Sequence, residues 1–241
     1  MTSIALVTGA NKGIGHEVAR QLGALGYRVL VGARDTQRGQ AAVAQLVAGG
    51  SQAFLVPIDV TDKDSVQAAA ALIERDHGGL DVLVNNAAIK LEFHPAPPSA
   101  APMDLVRRTF EPNVFGVMMV IQAMLPMLRR SRAARIVNVS SGLGSLTLSS
   151  EVGSKFNLKP MLSYNVSKAA VNAITVQFAS ELRESGIKIN SADPGYTHTD
   201  MVLRQGGKPV AQGASVIVRL ATLPHDGPSG AFFDEHGPLP W

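Results

Sequence analysis

A glycine-rich turn between a predicted strand and a predicted helix constrains the fold of this chain most strongly. The turn spans residues 8–15 and reads TGANKGIG. It follows the apolar run IALV at residues 4–7, which is typical of a buried parallel strand. It leads into residues 16–25, where apolar side chains recur at helical spacing. Glycines let such a turn approach a phosphate at the helix N-terminus, so the segment predicts dinucleotide binding, with a tight turn that binds nothing as the alternative.

Strand and helix patterns alternate along the remaining sequence. Further strands are predicted over residues 28–33, 52–58, 80–84, 135–139, 187–192 and 230–233. Further helices are predicted over residues 36–48, 63–76, 164–184 and 208–221, together with a long helical stretch that is broken near Pro112. Continuous apolar strands joined by helices indicate a mostly or wholly parallel sheet, flanked by helices on both faces. No linker or repeat divides the 241 residues, so we expect a single doubly wound α/β domain over residues 1–241.

Composition and charge exclude several other classes of protein. The sequence has no cysteine, so neither disulfides nor thiolate metal sites can form, and its six histidines show no metal-like cluster. The net charge of +3 is small, and we interpret the one local basic group as a solvated helix end and not as a nucleic-acid surface; it comprises Arg129, Arg130, Arg132 and Arg135. No segment is expected to approach a membrane-spanning length, and the first residues are expected to enter a strand and not a signal peptide, which predicts a cytoplasmic protein.

Polar residues follow four of the predicted strands. They are Asp59-Val60, Asn85-Asn86-Ala87-Ala88, Ser140-Ser141 and Asp193-Pro194-Gly195. Each of these segments alone could be an ordinary turn. Ligands of doubly wound sheets bind beyond the carboxyl ends of the strands, where the strand order reverses. We therefore expect the four segments to line one crevice.

Tyr164 and Lys168 lie four residues apart in a predicted helix. That spacing places the phenol and the ammonium on one helix face. A nearby cation stabilises a phenolate, so the pair predicts a lowered Tyr164 pKa and a role for this residue as a general acid or base.

Taken together, these motifs resemble the short-chain dehydrogenase/reductase family over essentially the whole chain. Residues 8–15 match the family's TGxxxGxG, and Tyr164 and Lys168 match its YxxxK. Asn113 matches the helix asparagine, Ser141 the catalytic serine, and Pro194-Gly195 the family's PG turn. Within the family, the NKGIG of the first turn and the segment at residues 33–40 are similar to the carbonyl reductases. The resemblance implies a Rossmann-type fold.

The resemblance also implies a role for each catalytic residue. Tyr164 would donate a proton to a carbonyl oxygen while a nicotinamide delivers hydride to the carbon, and Ser141 would hold the same oxygen. Lys168 would bind the nicotinamide ribose and lower the Tyr164 pKa, and Asn113 would hold a water in a proton relay. A nucleophilic role for Ser141 is the alternative, but no GxSxG elbow surrounds it. Support of a helix bend beside Pro112 is the alternative role for Asn113.

The resemblance implies a cofactor site along the same edge of the sheet, and the charges near it favour NADPH over NADH. Arg34 ends the second strand and Lys12 lies in the glycine turn, where a guanidinium and an ammonium suit a 2′-phosphate. Asp35, a carboxylate close by, favours NADH instead. The implied cofactor-binding residues are Gly9, Asn11, Lys12, Gly13, Ile14, Gly15, Arg34, Asp59, Val60, Asn86, Ala87, Tyr164, Lys168, Pro194, Gly195, Thr197 and Thr199.

One departure from the family concerns the gap between Ser141 and Tyr164, which is longer than usual. We expect the additional residues, within 142–163, to form an extra loop or short helix at the rim of the pocket. Some monomeric carbonyl reductases carry a longer insertion here, so the resemblance leaves a monomer and a homo-oligomer open.

The residues expected around the pocket suggest an apolar substrate. They include Leu91, Phe93, Leu143, Leu146, Phe156, Met161, Tyr196 and Met201. An apolar aldehyde, ketone or quinone fits such a lining, and packing in the core is the alternative role for several of these side chains. A dehydrogenase that oxidises a secondary alcohol would use the same residues, and a nucleotide-binding sensor without chemistry is the alternative from another class. Trp241, the only tryptophan, is expected to pack onto its own domain or onto a partner subunit, near the pocket or at an interface.

Overall fold

One mixed sheet organises the part of the chain that the computed structural model describes, which comprises residues 2–92, 97–154, 156, 161–200 and 206–241. The strand order is β3-β2-β1-β4-β5-β6-β7-β8. Strands β1 to β7 are parallel to one another, and β8 pairs with β7 in the antiparallel direction. In order from β1, the strands are Ile4–Thr8, Arg28–Ala33, Ala53–Pro57, Val82–Asn85, Arg135–Val139, Lys188–Ala192, Phe232–Phe233 and Pro238–Leu239. The predicted doubly wound α/β architecture is confirmed, with a sheet that is mostly parallel.

The helices lie between successive strands, close to their predicted positions. In order from α1, they are Gly13–Ala24, Thr36–Ala48, Lys63–His77, Met103–Phe110, Gly116–Leu128, Leu146–Ser150, Leu162–Glu181 and Val210–Ala221. Shorter 3₁₀ turns occur at Pro98–Ala100, Gly142–Gly144 and Arg183–Ser185, and a π-helical turn at Glu111–Phe115 joins α4 to α5. The break predicted near Pro112 is this π-helical turn.

Several helix boundaries differ from the prediction, and those of α7 and α8 bear on the site. Helix α7 begins at Leu162, earlier than predicted, and ends at Glu181. Helix α8 begins only at Val210, because Pro209 precedes it in an extended conformation and Lys208 pairs with Thr197 in an isolated parallel bridge. The site residues on α7 therefore lie in its first two turns.

Two apolar layers pack on opposite faces of the sheet. Alternate residues of β1 face opposite layers, so that Leu6 joins one cluster and Val7 the other. Helices α3, α5 and α7 contribute to the first cluster, and α1, α2 and α8 to the second. Because both faces are covered, the strands are apolar throughout, and all five residues of β1 are buried.

One stretch contradicts the expectation that no segment reaches a membrane-spanning length. Met103–Leu128 has 26 residues and contains an 18-residue window with a mean hydropathy of 1.3, which is enough by length and composition. Its C-terminal part, α5, contributes Val120, Ile121 and Met124 to the core, each with no exposed surface. The apolar character of α5 therefore follows from its position against the sheet.

The interpretation of the local arginine group as a solvated helix end is wrong for Arg135. This residue lies in β5 and is only 3% exposed. Its guanidinium donates to the carbonyl oxygens of Leu223 and Ala134, each at 2.8 Å. Arg129 does lie at the surface, where it pairs with Glu181 at 2.9 Å.

Candidate active site

The strand order reverses between β1 and β4, and the two segments that follow these strands contact each other. Asn86 donates through Nδ2 to the carbonyl oxygen of Thr8 at 2.9 Å. The Thr8 hydroxyl accepts from the backbone nitrogens of Asn86 and Ala87 at 3.0 and 3.1 Å. A methyl group at position 15 would lie 2.4 Å from Asn86 Nδ2, so only glycine fits where the turn enters α1. The reversal point therefore holds the glycine turn in a fixed conformation.

The structure brings the remaining predicted site residues to the same edge of the sheet, where the carboxyl ends of the strands meet. Arg34 follows β2, and Asp59 and Val60 follow β3. Ser141 follows β5, and the segment with Pro194, Gly195, Thr197 and Thr199 follows β6. Asn113 lies in the π-helical turn, and Tyr164 and Lys168 lie on α7. In the described residues, no three histidine, aspartate or glutamate side chains come together as metal ligands.

The charges beside the glycine turn leave a guanidinium accessible. Arg34 has a side chain that is 78% exposed, with Nη1 3.8 Å from Asp59 Oδ2. Asp35, the carboxylate that would favour NADH, instead caps the N-terminus of α2 by accepting from the backbone nitrogen of Arg38 at 3.0 Å. Lys12 pairs with Asp200 at 2.8 Å, which joins the glycine turn to the segment after β6.

Tyr164, Lys168 and Ser141 form a compact cluster. Tyr164 is half-buried, and the Ser141 side chain forms a hydrogen bond with its phenol. Lys168 is 3% exposed, donates through Nζ to the carbonyl oxygen of Val139 at 2.8 Å, and lies 5.7 Å from the centre of the Tyr164 ring. The predicted placement of the phenol and the ammonium on one helix face is confirmed.

The expected lowering of the Tyr164 pKa is wrong for the chain without a bound cofactor. Burial raises the pKa of Tyr164, the charge of Asp193 raises it further, and the hydrogen bond from Ser141 opposes the rise only in part. Burial likewise lowers the pKa of Lys168 to about 8, against the charge of Asp193. Loss of hydration at these two groups outweighs any attraction between them. The phenol consequently keeps its proton at neutral pH.

Asn113 connects two segments of the site. It is fully buried, and its Nδ2 donates to the carbonyl oxygen of Ile89 at 2.9 Å and to Ser167 Oγ at 3.1 Å. Its Oδ1 accepts from the backbone nitrogen of Ile89 at 2.8 Å. Ser167 Oγ in turn donates to the carbonyl oxygen of Tyr164 at 2.7 Å. Asn113 therefore ties the segment after β4 to the first turns of α7.

Glu92 is a site residue that sequence reasoning missed. The N-cap residue of α7, Met161, has no capping side chain. The Glu92 carboxylate caps the helix from another segment, accepting from the backbone nitrogens of Ser163 at 3.1 Å and Tyr164 at 3.0 Å. A cap that lies 71 positions away in the chain leaves no local sequence pattern. Glu92 thus fixes the backbone from which the Tyr164 side chain extends.

The segment after β6 folds back over the glycine turn. The Thr197 hydroxyl donates to the carbonyl oxygen of Pro194 at 3.0 Å and is buried in this turn. Thr199 lies above Gly13, with its Cγ2 3.7 Å from where a Cβ of residue 13 would be. Thr199 is therefore on the side of the crevice where the predicted cofactor site lies, whereas the Thr197 side chain packs towards Gly213 of α8.

The long gap after Ser141 contains the predicted short helix, which is α6, preceded by a 3₁₀ turn. The Phe156 ring packs against Gly142. The side chains of Leu146 and Val152 lie at the surface, where they are 71% and 95% exposed. Two residues predicted near this pocket, Phe93 and Met201, lie outside the described residues, as does Lys155 in the gap itself.

Trp241 packs against its own chain, as one of the two predicted possibilities requires. Its ring stacks on Phe232 with centroids 5.7 Å apart. Its carbonyl oxygen accepts from the backbone nitrogen of Thr147 at 2.9 Å, at the start of α6. The tryptophan therefore supports the segment that follows Ser141.

Comparisons with known proteins agree with this geometry. A family model described as short chain dehydrogenase matches residues 3–208. The short-chain dehydrogenase anuI of Penicillium roqueforti (strain FM164) is 37% identical over 91% of this chain and 88% of its own length. Carbonyl reductase 1 (NADPH) of Sus scrofa is 34% identical, over 100% of this chain and 94% of its own. The crystal structure of NADPH-bound carbonyl reductase from chicken fatty liver superposes with a TM-score of 0.84 at 31% identity, and the match covers 100% of this chain and 99% of that one.

Proposed function

This chain belongs to the short-chain dehydrogenase family, and on that premise we propose that it is an NADPH-dependent carbonyl reductase. The proposed reaction converts the carbonyl group of an apolar aldehyde, ketone or quinone into an alcohol, with Tyr164 as the general acid. The observation that carries this proposal is the cluster in which the Tyr164 phenol is hydrogen-bonded to the Ser141 side chain and the centre of its ring lies 5.7 Å from Lys168 Nζ. A protonated phenol is the form that a reduction consumes.

The proposed proton transfer begins at the Tyr164 hydroxyl. NADPH, when bound, supplies the hydride that adds to the carbonyl carbon. As the C=O electron pair moves onto oxygen, Tyr164 donates its proton to that oxygen and is left as a phenolate. The Ser141 hydroxyl donates a hydrogen bond to the same oxygen, and two donors aimed at a developing negative charge stabilise it in a site from which water is excluded.

Lys168 and Asn113 would complete the site. Lys168 is fixed below the Tyr164 ring by its bond to Val139, and its ammonium becomes a favourable neighbour for the phenolate that the reaction creates. Both hydrogens of the Asn113 amide are already engaged by Ile89 and Ser167, so its side chain holds the framework of the site. A proton relay through Asn113 stays a prediction.

The residues at the glycine turn fit a dinucleotide that carries a 2′-phosphate. Gly13 has a φ of 58°, a conformation that glycine adopts readily, and it carries no side chain on the side that faces Thr199. Both properties allow the backbone of the turn to approach a pyrophosphate. The exposed Arg34 guanidinium can take a phosphate in a bidentate manner, while Asp35 is engaged in capping α2. The Sus scrofa relative and the chicken structure are themselves named with NADPH. These observations support NADPH over NADH.

The proposed substrate class follows from the side chains around the cluster. Leu143 and Phe156 border it, because the backbone nitrogen of Leu143 donates to Ser141 Oγ at 3.2 Å and the Phe156 ring packs against Gly142. An apolar lining with two converging hydroxyls suits a carbonyl on an apolar frame. The single-domain organisation, the cytoplasmic location and the absence of nucleic-acid and membrane partners stay predictions, and the sequence leaves a monomer and a homo-oligomer equally open.

A substrate panel tests the proposed function and its direction. NADPH oxidation would be followed at 340 nm against aldehydes, ketones and quinones, and NADP⁺ reduction against the matching secondary alcohols, each repeated with NADH and NAD⁺. We expect turnover of apolar carbonyls with NADPH at neutral pH. Turnover only of alcohols, or tight NADPH binding with no turnover of either class, would contradict the proposal and favour an oxidative enzyme or a sensor.

A further inference from the structure

Asp193 is a buried carboxylate within the site that the proposed reaction does not use. It directly follows β6 and is 7% exposed. Its backbone is fixed, because its nitrogen donates to the carbonyl oxygen of Phe233 at 2.7 Å. An acidic side chain is rarely buried to this degree unless its oxygens are satisfied.

The Asp193 carboxylate bridges the turn that follows Ser141 and the Pro194-Gly195 turn. One oxygen accepts from the backbone nitrogen of Gly195 at 2.8 Å, in the turn that the cofactor would contact. The carboxylate also accepts from the backbone nitrogen of Gly142, directly after Ser141. A Cβ on residue 142 would lie 3.0 Å from Asp193 Oδ2, so the approach depends on glycine there. One side chain thus sets the distance between the Ser141 turn and the Pro194-Gly195 turn.

Four ionisable groups surround this carboxylate. From α7 it faces Tyr164 and Lys168, and both respond to its charge. From the segment between β7 and β8 it faces Asp234, and from the segment before α8 it faces Lys208.

The charges behind Asp193 partly cancel one another. Lys208 is also bound to Glu235, with Nζ 3.0 Å from Oε1, so its charge is shared with another carboxylate. Asp234 adds a further negative charge. Lys168 lies on the side of the phenol. Its ammonium binds the carbonyl oxygen of Val139, which pairs in the sheet with Ala192, the residue before Asp193.

We propose that Asp193 is a positioning residue for the carbonyl reduction, because its buried carboxylate locks the Ser141 turn to the Pro194-Gly195 turn and places a negative charge beside Tyr164 and Lys168. This inference rests on the proposed function. Burial raises the pKa of Asp193 itself, and the backbone hydrogen bonds from Gly195 and Gly142 oppose that rise. In its ionised form the carboxylate holds the proton on the Tyr164 phenol and keeps Lys168 protonated over a wider pH range. Asp193 thereby maintains the protonated pair that reduction requires.

The consequence is a specific pH dependence. Without the negative charge, the pKa of Tyr164 and the pKa of Lys168 both fall. Reduction needs the protonated phenol and the Lys168 ammonium beside it. Because the pKa of Lys168 is about 8 and that of Tyr164 is raised, Lys168 sets the alkaline limb of the kcat/KM profile, and this limb moves to lower pH. In the reverse reaction the phenolate is the active form, so the acid limb of that profile also moves to lower pH. A residue that served structure alone would change the rate without moving either limb.

The test compares pH profiles of kcat/KM for reduction of the best carbonyl substrate by three variants. Asp193→Asn keeps the size and one acceptor oxygen, Asp193→Ser offers a smaller acceptor if the asparagine does not fold, and Asp193→Glu retains the charge. Asp226→Asn, at an exposed position remote from the site, removes the same charge from the chain as a control. Thermal melting and NADPH binding would be measured on each protein.

We expect the alkaline limb to move down by about one pH unit in Asp193→Asn and Asp193→Ser, and to stay in place in Asp193→Glu and Asp226→Asn. An unmoved limb in a folded Asp193→Asn or Asp193→Ser protein, even with a lower rate at every pH, would overturn the inference. Tyr164→Phe distinguishes this result from a failure of the proposed function. Full activity of that variant would show that Tyr164 is not the acid, independently of any result for Asp193.

Discussion

Removal of the Glu92 carboxylate is expected to loosen the helix that carries Tyr164. Glu92 is the only capping side chain that the described residues provide for α7, and it holds the backbone nitrogens of Ser163 and Tyr164. In Glu92→Ala, two donors in the first turn of a half-buried helix would lose their acceptor.

The size of the effect follows from these two bonds. A helix cap contributes about 1 kcal/mol, and a hydrogen bond to a charged acceptor contributes somewhat more than a neutral one. Because Glu92 is only partly buried, water will replace some of what is lost. We therefore expect the free energy of unfolding to fall by about 2 kcal/mol, which corresponds to about 4–8 °C in Tm for a chain of this length. Glu92→Gln keeps one acceptor oxygen and should lose about half as much.

Thermal melting and steady-state kinetics would measure the two consequences together. Since Tyr164 would start from a less ordered backbone, kcat should fall by about tenfold at temperatures where the protein stays folded. Glu184→Ala, at an exposed position in the 3₁₀ turn after α7, is the matched control. A Tm and a kcat for Glu92→Ala equal to those of the control would refute this reasoning.

Three further substitutions test other parts of the site. Arg34→Ala should raise the KM for NADPH by about 10- to 100-fold and leave that for NADH nearly unchanged, and equal changes in steady-state kinetics for both cofactors would contradict its phosphate-binding role. Gly15→Ala should lower the free energy of unfolding by about 1–3 kcal/mol, because the added methyl meets Asn86 at 2.4 Å, and an unchanged denaturant midpoint would argue against that contact. Lys168→Met should abolish turnover yet raise the free energy of unfolding at pH 7 by about 2 kcal/mol. Burial lowers the pKa of this lysine to about 8 in the folded protein, so the unfolded chain binds its proton more tightly and the lysine destabilises the fold. That gain should shrink as pH rises from about 8 through the usual lysine pKa of 10.5, and a gain that is constant with pH would speak against burial as its cause.

The parts of the fold that depend on local pattern could be predicted from the sequence. Helix α2 has the predicted bounds, because Asp35 caps its start and Gly49 follows its end. The strand-turn-helix unit at the glycine turn and the Tyr164–Lys168 spacing also depend on neighbours in the chain. The reversal between β1 and β4 then brings the strand ends together, as the rule for doubly wound sheets requires.

The remaining features depend on residues that are distant in sequence, and local patterns do not contain them. The cap from Glu92 reaches α7 across the crevice. The two-residue strand β8 owes its existence to pairing with β7. The direction in which the Tyr164 pKa is shifted could not be predicted from the sequence. The spacing from Lys168 shows only a nearby positive charge, whereas burial and the charge of Asp193, which raise the pKa, become visible only in the structure.

The most direct test of the account is a comparison of Tyr164→Phe with the wild-type protein, in NADPH binding and in single-turnover reduction of the best carbonyl substrate. Phenylalanine keeps the ring and its packing above Lys168 and removes only the hydroxyl. The account predicts NADPH affinity within about threefold of wild type and a loss of at least about a hundredfold in the single-turnover rate, the scale expected for a general acid. A single-turnover rate close to wild type, with the variant folded and NADPH bound, would contradict the assignment of Tyr164 as the proton donor.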